Sequence, residues 1–148
     1  DLSGENATGT SGVVQTVTQG SNTIGYADAS AAALLGHASL LVGDQALQPM
    51  AEAAAAIVDA SPKLDGRPEH DLALQLDRTA AGAYPAVLVS YAIVCQTYAD
   101  PATAGLVKAY LGYVASAEGQ AAAAAAAGSA PLSSDLQAQV KAAIDSVK

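Results

Sequence analysis

Two histidines, one cysteine and a hydroxyl-rich opening stretch are the features of this 148-residue chain whose side chains could do chemistry. Nucleophilic catalysis needs a Ser or Cys within reach of a His that an acid orients, and no G-x-S-x-G elbow presents such a serine. His37 follows Gly36, a helix stop, and reads as a surface or strand-edge residue. His70 stands in a polar loop between Glu69 and Asp71. Neighbours along a strand point to opposite faces, so this pair cannot converge on a metal, and no second His is near it in sequence. Cys95 directly follows the apolar run Val87 to Val94 and reads as a small buried hydrophobe. A single thiol makes neither a disulfide framework nor a multi-cysteine metal site. The expectation is a protein that is not an enzyme and uses no metal and no cofactor.

Asp1 to Gly12 carries more promise. The segment is rich in Gly, Ser, Thr and Asn and leads into the periodic apolar positions Val13, Val14 and Val17. A helix N-terminus presents backbone N–H groups without intrahelical partners and the positive end of the helix dipole, and neighbouring hydroxyls add donors, so the combination favours an anion. Gly9, Thr10, Ser11 and Gly12 are the candidate contacts. The simpler reading is that Ser11 caps the helix behind an entry loop, and both readings stand at this point. Arg67 and Arg78 have the fork geometry for an anion, although an arginine in a polar loop is ordinarily solvated.

Charge narrows the partners. Fourteen Asp plus Glu against six Lys plus Arg give a net charge of -8 and a pI near 4.3. A phosphate-backbone binder works by counterion release from Lys and Arg, so nucleic acid is excluded as a partner. No Lys or Arg precedes Lys63, and the acidic, Ala-rich stretch 48–60 reads as a solvated helix face. Ala makes up about a quarter of the chain, Phe and Trp are absent, and six Tyr are the only aromatics, so the core must be built from small aliphatics. No run of 18 apolar residues exists. The chain opens without an initiator methionine, a basic n-region or an apolar h-region, which predicts a start after processing or truncation, or a fragment.

The elements that must position these residues alternate. Ser11 opens a helix that Gly20 stops, Thr23 to Ala27 reads as a short strand, and Asp28 caps a helix ended by Gly36. Ala38 to Val42 reads as a strand closed by Gly43-Asp44, and Pro49 opens a helix that ends at Ser61-Pro62. After a polar loop at 61–70, Leu72, Leu74 and Leu76 alternate as in a half-buried strand. Ala86 to Tyr98, rich in Val, Ile and Tyr, reads as a central strand covered on both faces. Asp100-Pro101 opens a helix with Leu106, Val107, Tyr110, Leu111 and Val114 on one stripe. Ala121 to Ala127 continues helically to Gly128, and Ser134 with Gln137 predicts a capping box for a last helix lined by Leu136, Val140, Ile144 and Val147.

Taken in order, S-G-E-N-A-T-G-T-S-G-V-V-Q-T-V, T-I-G-Y-A-D, the A-Y-P of 83–85, the strand to Tyr98, L-V-K-A-Y-L-G-Y-V at 106–114, Gly119-Gln120 and A-P-L-S-S-D-L-Q-A-Q-V at 130–140 form a pattern. It resembles the C-terminal half of the phosphate-binding subunit of bacterial phosphate ABC importers, a periplasmic solute-binding protein. The resemblance covers essentially the whole chain. It implies an α/β, two-lobed, periplasmic-binding-protein-like fold of type II, with residues 1–80 in the second lobe and 81–148 supplying the crossing strand and C-terminal helices of the first.

The same resemblance implies inorganic phosphate as ligand, delivered to a membrane permease from an extracytoplasmic position, periplasmic or lipid-anchored at the cell surface. It places Gly9, Thr10, Ser11, Gly12 and Tyr26 along the cleft wall. The family's main phosphate contacts come from an early Thr-containing loop, a Ser, an Asp, and an Arg shortly followed by Ser-Gly-Thr. None of that set is present, because Thr8-Gly9-Thr10-Ser11 has no preceding Arg. The expected partner is therefore the missing N-terminal half of the same protein as a second chain, which would also cover the edge of strand 86–98. A receptor for another oxyanion, molybdate or sulfate, and a secreted structural fragment without a ligand are the alternatives.

Overall fold

A computed structural model describes residues 4–148. The chain separates into two compact units, the first ending at Ala38 and the second running Ser39–Lys148.

The first unit is organised by one helix, α1 (Gly9–Gln19). Gly9 has φ 66°, a left-handed conformation that costs glycine least, and the chain turns there into the helix. Val13, Val14 and Val17 are half-buried along α1. A Cβ on Gly25 would lie 2.8 Å from Val17 Cγ2 and 3.0 Å from Val13 Cγ1, so the Gly25 backbone rests directly on these valines. The Thr23 hydroxyl donates to the Val17 carbonyl at 3.2 Å. Residues 23–28 thus run back along α1 towards its N-terminus.

The expected strand at 23–27 does not form, and the expected helix at 28–36 is a series of turns in which the Ala31 and Ala32 N–H groups both reach the Asp28 carbonyl. A strand needs a hydrogen-bonding neighbour, and none exists among the described residues of this unit. The 28–36 stretch is too short to offset helix nucleation without a packed face.

The second unit opens with an antiparallel hairpin, β1 (Leu40–Val42) and β2 (Gln45–Leu47), in the register Leu40↔Leu47. Gly43, at φ 58°, supplies the turn that the Gly-Asp pair predicts, whereas β2 has no clear signal in sequence. Helix α2 (Ala51–Ala60) follows and ends at Ser61 as expected. Its Ile57 is the largest fully buried side chain of the described residues and shares the core with Ala83, Ala104 and Val147.

Three helices close the chain: α3 (Pro101–Val114), α4 (Ala117–Ala127) and α5 (Ser134–Asp145). Asp100 caps α3 as the Asp-Pro pair predicts, its carboxylate accepting from Ala102 N and Thr103 N at 3.0 and 3.2 Å. Ser116 caps α4, and Gly128 ends it at φ 65°. The cap of α5 is Ser133, not Ser134, and Gln137 donates its side-chain amide to the Ala115 carbonyl instead of completing a capping box.

Three further expectations fail here. The Leu72, Leu74, Leu76 alternation yields a single antiparallel bridge, Lys63↔Leu74, flanked by the bonds Leu64 N to Ala73 O and Gln75 N to Pro62 O, both 2.9 Å. Residues 86–98 form no strand, and Cys95 within them is exposed rather than buried. On α3 the predicted apolar stripe is largely outside, with Leu106 73% and Tyr110 69% exposed. The physical cause is shared: each of these segments needs a packed or hydrogen-bonding neighbour, and the described residues of the second unit supply too few.

Candidate functional site

The hydroxyl-rich segment is the candidate site, and its helix start differs from the expected one. Thr8 is the N-cap position of α1 and makes no side-chain cap bond, which puts Thr10 and Ser11 inside the first helical turn instead of leaving Ser11 as the cap. Among the described residues no side chain accepts from the N–H groups of Gly9, Thr10 or Ser11. A helix start in this condition keeps its N–H groups for solvent or a ligand.

Thr10 and Asp28 define the rim. The Thr10 hydroxyl donates to Asp28 Oδ2 at 2.9 Å, which ties the end of the returning segment to the first turn of α1. The hydroxyl proton is committed to that carboxylate, so the donors left for an anion are the backbone N–H groups and the exposed Ser11 hydroxyl. Gly12 is half-buried, with the Ala7 methyl 3.3 Å from where its Cβ would be. Tyr26 is 75% exposed and lies between Gly25, seated on Val13 and Val17, and Asp28, bonded to Thr10. Gly9, Thr10, Ser11, Gly12 and Tyr26 therefore do fall in one region of the first unit. Asp28 is the member that the sequence presents only as a helix cap.

The other candidates are engaged elsewhere. Arg67 pairs with Asp71 at 2.5 Å, and Arg78 donates to the Pro85 carbonyl, so both are engaged within the second unit. His37 Nε2 lies 3.0 Å from the Ala32 carbonyl, and His70 is exposed in a turn. No cluster of three or more His, Cys, Asp or Glu suited to a metal occurs among the described residues. The second unit has a shallow groove of about 460 Å³ where Asp59, Lys63, Ser133 and Asp135 meet. The helix start in this groove, that of α5, is capped by the Ser133 hydroxyl, which accepts from Leu136 N, unlike the start of α1.

Four carboxyls are held below the ordinary Asp range. Asp71 is lowered by the Ala73 N–H and then by Arg67, Asp77 by the Thr79 hydroxyl and N–H, Asp100 by the Thr103 hydroxyl and Ala102 N–H, and Asp145 by Lys141. Each is a turn, a cap or a helix-surface pair, which is structural work. No described helix is long and apolar enough to cross a membrane. No known protein family, curated protein or solved structure matches this chain.

Proposed function

We propose that this chain is the C-terminal part of a two-lobed, α/β solute receptor that binds inorganic phosphate outside the cytoplasm and delivers it to an ABC permease, with no catalytic step. Support comes from one observation above all: among the described residues no side chain caps the N–H groups in the first turn of α1, which lie beside an exposed Ser11 hydroxyl and the Asp28 carboxylate. Uncapped N–H groups at a helix start suit an oxyanion. A carboxylate at the rim selects among oxyanions, because it accepts a hydrogen bond from one that still carries a proton and repels one that does not. Hydrogen phosphate carries such a proton near neutral pH, whereas sulfate and molybdate do not.

In this reading residues 1–80 belong to the second lobe and 81–148 return to the first, and the primary ligands lie in a preceding half supplied in the same or a second chain. The exposed Leu88, Ile93, Leu106 and Tyr110 favour it, since apolar side chains left uncovered are the ones a missing half would cover.

The test is thermal unfolding with inorganic phosphate, sulfate or molybdate, run on the chain alone and on the chain joined to the preceding part of its reading frame. Phosphate should stabilise the joined protein by about 2.7 kcal/mol at a hundredfold excess over Kd. Ser11→Ala should weaken that response, and Asp28→Asn should reduce the preference for phosphate over sulfate. Preferential stabilisation by molybdate or sulfate would make it a receptor for another oxyanion. No anion response in the joined protein would leave a secreted structural fragment.

A further inference from the structure

Asp65-Gly66 is the one place in the sequence where a glycine follows an aspartate, and no glycine follows an asparagine. The order matters because a glycine nitrogen, with no side chain beside it, can reach the carboxyl carbon of the preceding aspartate and close a five-membered ring. The pair forms the turn of an exposed loop whose base is pinned by the Lys63↔Leu74 bridge and the bond from Leu64 N to Ala73 O. Gly66 has φ 73°, and nothing lies within 4 Å of where its Cβ would be. Among the described residues, neither the Asp65 carboxylate nor the Gly66 N–H takes part in a hydrogen bond or an ion pair. Both reacting groups are free, and the space around them is open.

No other described aspartate combines these conditions. Asp100 precedes Pro101, which has no N–H to attack with. Asp145 pairs with Lys141, and the N–H that follows it, that of Ser146, is held by the Ala142 carbonyl at 3.2 Å. Asp71 and Asp77 accept from Ala73 N and Thr79 N, Asp28 from the Thr10 hydroxyl, and Asp59 from the Ser133 hydroxyl. Asp44 precedes Gln45, which β2 pairs with Val42, and Asp135 precedes Leu136, whose N–H is donated to Ser133 Oγ.

We propose that Asp65-Gly66 is a site of self-modification, at which the folded chain converts aspartate to isoaspartate with water as the only co-reactant. The Gly66 nitrogen attacks Cγ of Asp65. The N–Cγ bond forms, one C–O bond of the carboxyl breaks, and that oxygen leaves as water, carrying the amide proton and one proton from solvent. A second water then opens the succinimide ring. Breaking the new N–Cγ bond regenerates aspartate. Breaking the original bond from the Asp65 carbonyl carbon to Gly66 N instead routes the backbone through Cβ and Cγ and frees the α-carboxylate. One water leaves and one enters, so nothing is oxidised or reduced and the mass is unchanged. The inference rests on this turn alone and does not require a phosphate ligand.

Incubation of the purified, folded chain in neutral buffer at physiological temperature tests it, with samples taken over weeks and circular dichroism as the folding control. Peptides from each sample are read by electron-transfer fragmentation, which distinguishes isoaspartate from aspartate at every position. Isoaspartate should accumulate at residue 65 before any other. Asp65→Glu, whose side chain is one methylene too long for the five-membered ring, should abolish the signal there. Gly66→Ala should slow it, because a methyl beside the attacking nitrogen obstructs ring closure. An unchanged residue 65 in the folded chain overturns the proposal. So does equal accumulation at Asp44, Asp135 or Asp145, which would mean that the free side chain and open turn confer nothing. Isoaspartate that forms at residue 65 only in urea would assign the reaction to the unfolded chain and overturn the proposal as well.

Discussion

The Ser133 hydroxyl donates to Asp59 Oδ1 at 2.7 Å while its oxygen accepts from Leu136 N at 3.4 Å, so one side chain caps α5 and ties it to the C-terminal turn of α2. The two residues are 74 positions apart in the chain. Ser133→Ala removes both bonds and should cost about 0.5–2 kcal/mol in urea denaturation. Ser134→Ala, one residue on and exposed, should stay within about 0.5 kcal/mol. Equal losses for the two would move the cap back to Ser134.

Acid should loosen the second unit. The carboxyls of Asp71, Asp77, Asp100 and Asp145 all lie below their ordinary value when folded. A depressed carboxyl binds its proton more tightly in the unfolded chain, so the stability it contributes is present above the unfolded pKa and lost as pH falls through the folded one. The midpoint of thermal unfolding should therefore hold from neutral pH down to about 4 and drop below it. Asp100→Asn keeps a good N-cap without the ionisation and should flatten part of that drop. An unchanged acid limb in this variant would assign the loss to other carboxyls.

What the sequence made legible was local. Asp100-Pro101, Gly128, Gly20, Gly43-Asp44 and Ser61-Pro62 each act through their own few residues, and each element boundary they predict is present within a residue or two. What depended on distant neighbours was not legible. The strand pattern of 86–98 is strong, but a strand is defined by its partner, and no partner strand exists among the described residues. Cys95 is exposed for the same reason. At the candidate site, the glycine and hydroxyl pattern located α1 but not its cap. The tie from Thr10 to Asp28 spans 18 positions and depends on the return of the chain along α1, where Gly25 rests on Val13 and Val17 and the Thr23 hydroxyl donates to the Val17 carbonyl.

Lys108 should matter more than an exposed lysine does. Its half-buried ammonium on α3 donates to the carbonyls of Asp145 and Val147, both at 3.0 Å, at the C-terminal end of α5. Those carbonyls have no helical donors of their own, and a cation suits the negative end of the helix dipole. Lys108→Met keeps the apolar stem and removes the charge, and should cost about 1.5–3 kcal/mol, as loss of hydrogen bonds to a charged group does. Hydrogen exchange should then quicken around Tyr98 and Lys148, whose backbone bonds depend on the same chain end. Lys141→Met removes only an exposed pair with Asp145 and should leave exchange at these amides unchanged. Matching exchange profiles for the two variants would show that the Lys108 contacts do not hold the terminus.

Two helical glycines should respond in opposite directions to the same added methyl. Gly119 is buried at the third position of α4, where Ser116 Oγ accepts its N–H at 3.1 Å. A Cβ there would fall inside van der Waals contact with the Tyr113 carbonyl, and that atom is backbone and cannot swing aside. Gly105 lies in α3 with nothing within 4 Å of its Cβ position. Gly105→Ala should therefore raise stability by about 0.5–1 kcal/mol through helix propensity and reduced freedom of the unfolded chain. Gly119→Ala should lower it by about 1–3 kcal/mol, since the α3–α4 junction must open to admit the methyl. Equilibrium denaturation of both variants against wild type decides it. A stabilised Gly119→Ala would mean that the close approach of α4 to the Tyr113 carbonyl is not what sets the junction.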